Sequence, residues 1–386
     1  TKQRTKKAEQ LVRGFLGRLQ AVTVLDPACG SGNFLYVTLQ KLKDLEKQAI
    51  LFAAPYFGFL PAVGPWQLAG IELNQYAFEL AQMTVWIGYL QWVKRNGLGQ
   101  PDDPILRPLK TFEHKDAVLD LRPDSVVAEP EWPAAEFIVS NPPFLGVRKL
   151  REHLTNDYVE GLFTLWDGRV PAEADYCCYW FEKARAQVKA GKTKRVGLLA
   201  TQGIRSGASR EVLSRIKETG DIFFAVSDQE WVLDGATVHV SMVGFDDEAQ
   251  TTRVCDGKAA SPINSDLTTG VDVTSAKQLG ANAGLSFMAD TKGGAFDIGA
   301  DLARRWLSAP NPHGRPNSDV LRPWVNGKDV TRRGRGMWIV DYPPGTTKAA
   351  ASRYEAPFEY LRREVYPKRR ENRRAAYAER WWLHVE

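Results

Sequence analysis

An asparagine followed by two prolines and an aromatic ring, Asn141-Pro-Pro-Phe144, has the acceptors needed to hold a neutral amine by both of its hydrogens. The Asn141 side-chain oxygen and the Pro142 carbonyl would draw an aromatic amine toward pyramidal geometry and stabilise the positive charge it develops as a nucleophile. Pro142 and Pro143 would keep such a turn rigid, because their rings fix φ and remove donors. Phe144 could stack on an extruded base. Alone, the tetrapeptide would read as a simple Asn-Pro loop. A second motif accompanies it, Asp26-Pro-Ala-Cys-Gly-Ser-Gly-Asn-Phe34, in which Gly30 and Gly32 let backbone approach a ligand closely. A dinucleotide cradle would need a third glycine at position 35, which is Leu35, and the phosphate loop fails because Ala186 stands where Gly191-Lys-Thr193 would require glycine. An adenosine ligand lacking phosphates fits better, although a Gly-Ser-Gly turn also serves as a plain strand-to-helix connection. Two acids add to the set. Glu72, after Gly70-Ile71, could accept both hydroxyls of a ribose, and Asp116, in His114-Lys-Asp-Ala117, could accept from an exocyclic amine. Each acid by itself would equally serve as a helix cap.

These groups need a scaffold that brings them to one edge, and the apolar pattern supplies it. Short apolar runs at Val22 to Leu25, Ala69 to Glu72, Phe137 to Val139, Val196 to Leu199, Ile222 to Val226 and Val238 to Phe245 predict strands. Between them, Leu35, Leu39 and Leu42 predict one helix, and Tyr76, Leu80, Met83, Ile87 and Leu90 predict another that buries that face on a sheet. Strands alternating with helices imply an α/β fold with a doubly wound, mostly parallel sheet, whose ligands sit beyond the carboxyl ends of the strands. Asp26, Glu72, Asp116 and Asn141 all fall at such ends.

Asp26 to Phe34 with Asn141 to Phe144 resembles the gamma class of S-adenosylmethionine-dependent DNA N6-adenine methyltransferases. The match extends through Gly70-Ile-Glu-Leu-Asn74, Asp175-Tyr-Cys-Cys-Tyr-Trp-Phe-Glu182, Val196 to Gln202, Val238 to Phe245, Asn317 to Trp324 and Arg380-Trp-Trp-Leu383, and so nearly the whole chain is similar to the large MmeI-like restriction-modification polypeptides. The resemblance implies a class I, Rossmann-like methyltransferase with S-adenosyl-L-methionine as cofactor and double-stranded DNA as partner. It assigns Asp26, Ala28, Gly30, Gly32 and Phe34 to the cofactor loop, Glu72 to the ribose, Asp116 to the cofactor adenine, and Asn141, Pro142, Pro143 and Phe144 to the target adenine beside the cofactor. Basic residues near these motifs, Arg148, Lys149, Arg151, Arg205, Arg332 and Arg333, are candidates for DNA contact. The family carries a further cofactor segment upstream of the glycine motif, and none is recognisable before Asp26. The chain is therefore expected to be a methyltransferase core with the lead-in to a target-recognition domain, continuous with an N-terminal segment and a recognition domain outside it. Two other readings stay open: methylation of a protein or ribosomal nitrogen, and a catalytically silent DNA-specificity subunit. A cytosine C5 mechanism would need a nucleophilic cysteine in a Pro-Cys turn, which is lacking.

Length and charge set the remaining bounds. The 386 residues suggest one domain and part of a second, placed here as 1–248 for the catalytic domain and 249–386 for a linker and recognition lead-in, because Asp, Ser, Thr, Gly and Asn dominate after Asp246. At 44% apolar and 25% charged residues, the composition excludes disordered and collagen-like classes. The uncharged run from Gln48 to Ile71 is interrupted by Pro55, Pro61 and Pro65, so no membrane span is expected. Cys29, Cys177, Cys178 and Cys255 show no disulfide pattern and suit a reducing cytoplasm, and the five histidines show no ligand spacing, so no metal is expected. The net charge is +5, and residues 301–386, with 18 Lys plus Arg against 10 Asp plus Glu, carry the surplus. Its densest stretch, Arg362 to Arg374, could seek phosphates or could be a solvated helix face. Pro101-Asp102 with Glu113-His-Lys115 imitates a metal-dependent nuclease pattern, but Glu113 and Lys115 abut Asp116 within the sheet, and that reading is set aside.

Overall fold

The structure is a computed structural model that describes residues 2–97, 108–121, 127–233, 236–272, 274, 276, 280, 292–331, 334–371 and 375–384. After helix α1 (Lys2–Gln20), strand β1 (Val24–Asp26), wholly buried, opens a sheet and leads through the glycine turn into α2 (Asn33–Ala53). Strand β2 (Leu68–Glu72) leads into α3 (Gln75–Asn96), capped by the Asn74 side chain accepting from the Ala77 amide at 3.0 Å. Then come β3 (Phe112–His114), a small antiparallel pair β4 (Asp120–Leu121) and β5 (Val127–Ala128), and β6 (Phe137–Ser140). Helices α4 (Val147–His153), α5 (Asn156–Leu165) and α6 (Cys178–Lys189) precede β7 (Arg195–Thr201), α7 (Arg210–Thr219) and the long hairpin of β8 (Asp221–Leu233) and β9 (Ala236–Asp246). Strands β10 (Arg253–Cys255) and β11 (Lys258–Ala260) complete a sheet ordered β11-β10-β8-β9-β7-β6-β1-β2-β3.

Strands β3, β2, β1, β6 and β7 are parallel, while β9 inserts antiparallel between β7 and β8. The chain leaves β1 toward β2 and β3, then returns to β6 on the other flank. The crevice above the carboxyl ends of β1 and β6 is thus the switch point, where an open α/β sheet takes its ligand. Period-two alternation covers both faces. Val24 and Leu68 join Leu35, Leu39, Ala81 and Val85 in one core, whereas Leu25, Ala69 and Ile138 join Val159, Leu162, Phe181 and Ile216 in another.

Helix α3 forms where the periodicity placed it but buries a different face. Tyr76, Met83 and Ile87 are exposed, and Ala81, Val85, Gly88, Trp92 and Val93 face inward. The reason is close approach to α2: a Cβ on Gly88 would lie 2.3 Å from the Tyr36 ring, so the contact line demands small side chains and the bulky ones turn outward.

Two compact units divide the chain, residues 1–276 and 277–386, and the boundary expected at 248 falls inside the first. Its physical cause is strand pairing: Val254 and Cys255 of β10 pair in parallel with Phe224 and Ala225 of β8, which carries the sheet past Asp246. The second unit holds β12 (Asp297–Ile298), α8 (Ala300–Ser308), β13 (Leu321–Trp324), α9 (Gly327–Thr331), β14 (Met337–Val340), α10 (Lys348–Ala351), α11 (Glu355–Glu364), α12 (Tyr366–Arg369) and α13 (Ala375–Glu379). Its antiparallel sheet runs β12-β14-β13 over a core that includes Phe296, Val340, Leu361, Trp381 and Trp382. Much of the basic stretch is architecture. Arg369 is 2% exposed, lies over the Phe296 ring at 4.7 Å, and donates to the carbonyls of Gly293, Trp381 and Leu383. On the surface Arg362, Arg363 and Arg370 pair with Glu359, Glu364 and Glu371. Among the described residues no helix is long and apolar enough to cross a membrane, and all four cysteines are free and buried.

Candidate active site

The turn after β1 is shaped by its own backbone. Gly30 and Gly32 take left-handed φ values of 52° and 84°, the Cys29 amide donates to the Ile71 carbonyl at 3.1 Å, and the Gly32 amide donates back to Cys29 at 2.7 Å. The loop is thereby stitched to the end of β2. Glu72 completes the stitch, accepting from the Gly30 amide at 2.9 Å through Oε2 and from the Asn74 amide at 2.8 Å through Oε1. Each carboxylate oxygen keeps a second lone-pair site for another donor.

Asp26, the last residue of β1, is 1% exposed. Its Oδ1 accepts from the Ser140 hydroxyl at 2.5 Å and from the Ala28 amide at 3.1 Å. Burial pushes the carboxyl up to about 7, against the lowering effect of the Ser140 and Ala28 hydrogen bonds and with a smaller push from Glu72. Since Ser140 immediately precedes Asn141, this bond joins β1, which leads into the glycine turn, to the strand that carries the tetrapeptide.

Asp116 follows β3. Its Oδ1 accepts from the Val118 and Leu119 amides at 2.7 and 2.9 Å, and its Oδ2 accepts from the Tyr158 hydroxyl at 2.7 Å. The tetrapeptide leaves β6 with Asn141 and Pro143 exposed, Pro142 buried and Phe144 half-buried. It is braced from behind by the entry to α6: the Leu145 amide donates to Asp175 Oδ1 at 3.2 Å, the Tyr176 amide donates to the Leu145 carbonyl at 3.1 Å, and the Trp180 indole donates to the Pro27 carbonyl at 2.9 Å. One helix start therefore holds both motif loops.

A cleft of ≈ 320 Å³ opens over these strand ends. It brings together Ala28, Glu72, Asp116, Asn141 and Pro143, with Ile71, Leu73 and Leu154 as apolar wall and Tyr176 and Trp180 as aromatic wall. Asp26, Gly30, Gly32 and Phe34 lie in or behind the loop and do not line it, and neither does Pro142. Phe144 borders a neighbouring cavity of ≈ 570 Å³ with Lys149, His153, Glu173, Asp175 and Ser209. The tetrapeptide thus stands between two cavities. Sequence reasoning gave no role to Ser140, Tyr158, Tyr176 or Trp180. Tyr176 and Trp180 sit in a block singled out for resemblance, but what they touch is set by tertiary packing.

The basic candidates separate by their engagements. Lys149 is exposed and lines the second cavity. Arg151 is ion-paired with Glu160 at 2.6 Å, and Arg205, half-buried, donates to the Asp266 carbonyl at 3.0 Å. Arg148 stands in α4 with its side chain outside the described residues, and Arg332 and Arg333 lie outside them altogether. Of the nuclease-like pattern, Pro101 and Asp102 also lie outside, while Glu113 is ion-paired with Lys115.

Residues 1–256 match the family model described as MmeI, DNA-methyltransferase domain. DNA methyltransferase A of Bacillus subtilis (strain 168) is 26% identical over 245 residues, which cover 61% of this chain and 27% of that protein. The type IIL restriction-modification enzyme MmeI, solved in complex with DNA, superimposes with a TM-score of 0.67 at 19% identity over 99% of this chain and 53% of its own. The chain thus spans about a quarter of the first relative and about half of the second. With the matched model covering eight of the sheet's nine strands, as far as β10, and both motif loops within it, the chain belongs to the MmeI DNA-methyltransferase domain family.

Proposed function

We propose that the chain transfers a methyl group from S-adenosylmethionine to the N6 amine of an adenine turned out of duplex DNA, within a restriction-modification protein. The observation that carries this reading is the position of the tetrapeptide, with Asn141 and Pro143 on one cavity and Phe144 on the next, so that donor and acceptor could meet across four residues. The first cavity suits the cofactor: it is concave, largely apolar, and ringed by carboxylates with acceptor sites to spare for ribose hydroxyls and a ring amine. S-adenosylmethionine, when bound, supplies an electrophilic methyl on a sulfonium that is already a good leaving group.

The protein's part is then positioning and charge stabilisation. Asn141 Oδ1 and the Pro142 carbonyl accept the two hydrogens of the target amine, which concentrates its lone pair toward the methyl and offsets the charge that develops on nitrogen. Phe144 stacks on the extruded base, and Glu72 and Asp116 fix the opposite end of the reaction axis. Lys149, exposed beside Phe144, answers a phosphate flanking the extruded nucleotide. Residues 277–386 form the lead-in to target recognition.

The test is a single-turnover reaction with enzyme in excess over duplex DNA and methyl-labelled cofactor, followed by digestion to nucleosides. Label in N6-methyladenine, lost in Asn141→Ala, is the expected result. Label confined to another nucleoside, or to the protein, would redirect the assignment.

A further inference from the structure

Asp116 has less to offer a ligand than its place beside the cleft suggests, because three hydrogen bonds already reach it. The third comes from Tyr158, on α5, whose first turn is fixed by the Tyr158 amide donating to the Thr155 hydroxyl at 3.3 Å. The Tyr158 hydroxyl oxygen is in turn 2.6 Å from that of Tyr176, which lines the cleft. Counting protons orders the chain. The single Tyr158 proton is given to Asp116 Oδ2, so Tyr176 must then donate its own to the Tyr158 oxygen. Burial pushes both phenols well above their usual range, so both stay neutral and the order holds. The Tyr176 ring is itself held edge-on against Trp180 at 5.1 Å.

We propose that Tyr158 is a positioning residue which, by holding the Tyr176 proton, leaves Tyr176 and Asp116 as acceptors at that end of the cleft, where Lys115 also lines the wall but is engaged by Glu113 and the Glu131 carbonyl, and that Tyr176 with Asp116 thereby selects a purine bearing a 6-amino group over one bearing a 6-oxo group. The proposal rests on the cofactor assignment above and deepens it. An amine brings donors to both oxygens. A 6-oxo purine brings a carbonyl oxygen against them, with no proton left in the chain to meet it, and a buried polar group without a partner is heavily penalised.

The experiment uses calorimetry on the 386-residue chain with two probes, S-adenosylhomocysteine and its 6-oxo analogue S-inosylhomocysteine. Wild type should prefer the first by about 100-fold or more. In Tyr158→Phe the Tyr176 proton is released and can turn to the 6-oxo oxygen, so the analogue should bind about 10-fold more tightly than it binds wild type, by the worth of one hydrogen bond. A gain of affinity is the decisive sign, since loosened structure would weaken both probes. Tyr176→Phe should lower the preference without that gain. Tyr179→Phe, which removes a buried hydroxyl that has no partner among the described residues, in the same aromatic cluster, should change neither affinity. An unchanged preference in Tyr158→Phe, or equal losses for both probes, overturns the proposal. Failure of wild type to bind either probe would instead overturn the cofactor assignment on which it rests.

Discussion

Gly30 and Gly32 offer a paired experiment, because they share a backbone conformation and differ in surroundings. Both have left-handed φ, at 52° and 84°, so replacement by alanine imposes a conformational cost of about 1–2 kcal/mol at either position. Around Gly30 a Cβ would meet nothing within 4 Å among the described residues. At Gly32 it would lie 2.9 Å from both the Cα and the carbonyl oxygen of Ala81, which are backbone atoms of α3 and cannot swing aside. Relieving that overlap means shifting α2 against α3, at a further cost of about 1–3 kcal/mol by analogy with overpacked cores. Gly30→Ala should therefore destabilise by about 1–2 kcal/mol and Gly32→Ala by about 2–5 kcal/mol. Urea unfolding of the two variants, with the slope checked for constancy, measures the difference. The functional order should be the reverse relative to stability. Gly30 donates to Glu72, so strain at Gly30 disturbs the acid proposed to hold the ribose, and its variant should lose cofactor affinity out of proportion to its small loss of stability. Equal destabilisation by the two alanines would refute the reasoning, because it would mean that the contact between the α2 start and Ala81 relaxes without cost.

Asn141→Ala should slow single-turnover methyl transfer by about 10² to 10³, the loss seen when one preorganised charge-stabilising partner is removed, with cofactor affinity changed far less. Asp26→Asn keeps an acceptor for Ser140 and removes a charge whose folded-state pKa is about 7 against an ordinary 3.8. A raised carboxyl stabilises the fold fully below about 4 and loses that contribution as pH rises to about 7, so the variant should gain on wild type across this window, by up to roughly 4 kcal/mol at pH 8. Unfolding both proteins at pH 5 and pH 8 checks it, and a pH-independent difference would count against a buried, titrating Asp26. Lys149→Ser should flatten the salt dependence of DNA binding by about one unit of slope, and Arg151→Ser by less, because Glu160 already neutralises it.

The central strands were legible because a parallel strand buried on both faces must be apolar throughout, and β1, β2, β6 and β7 are short runs of that kind. The motif residues were legible because their chemistry is local: a glycine turn, an acid at a strand end, an asparagine before prolines. What escaped depends on partners distant in the chain. Nothing near Tyr158 says that its hydroxyl will meet Asp116, 42 positions earlier. The face of α3 was misjudged because counting bulky apolar residues ignores the demand for small ones where two helices touch, as Ala81 and Gly88 do against α2. Arg369 reads as one more basic residue in a phosphate-seeking run until its planar fork is seen collecting backbone carbonyls inside the second unit.

The hydrogen bond between Ser140 and Asp26 explains why two motifs separated by more than a hundred residues can act as one site. β1 and β6 are neighbours, with Leu25 opposite Ile138, and beyond that register nothing in strand pairing alone fixes where the two loops point. A buried hydroxyl on a buried carboxyl does fix it, since letting either partner turn away would leave an unpaired polar group in a dry interior. The same bond puts a neutralisable acid directly behind the glycine turn. From behind, the Trp180 indole on Pro27 and the Tyr176 amide on Leu145 clamp the two loops to the start of α6. The methyl transfer proposed above, without a covalent enzyme intermediate, has little besides distance and orientation to work with, and these are the contacts that would set both.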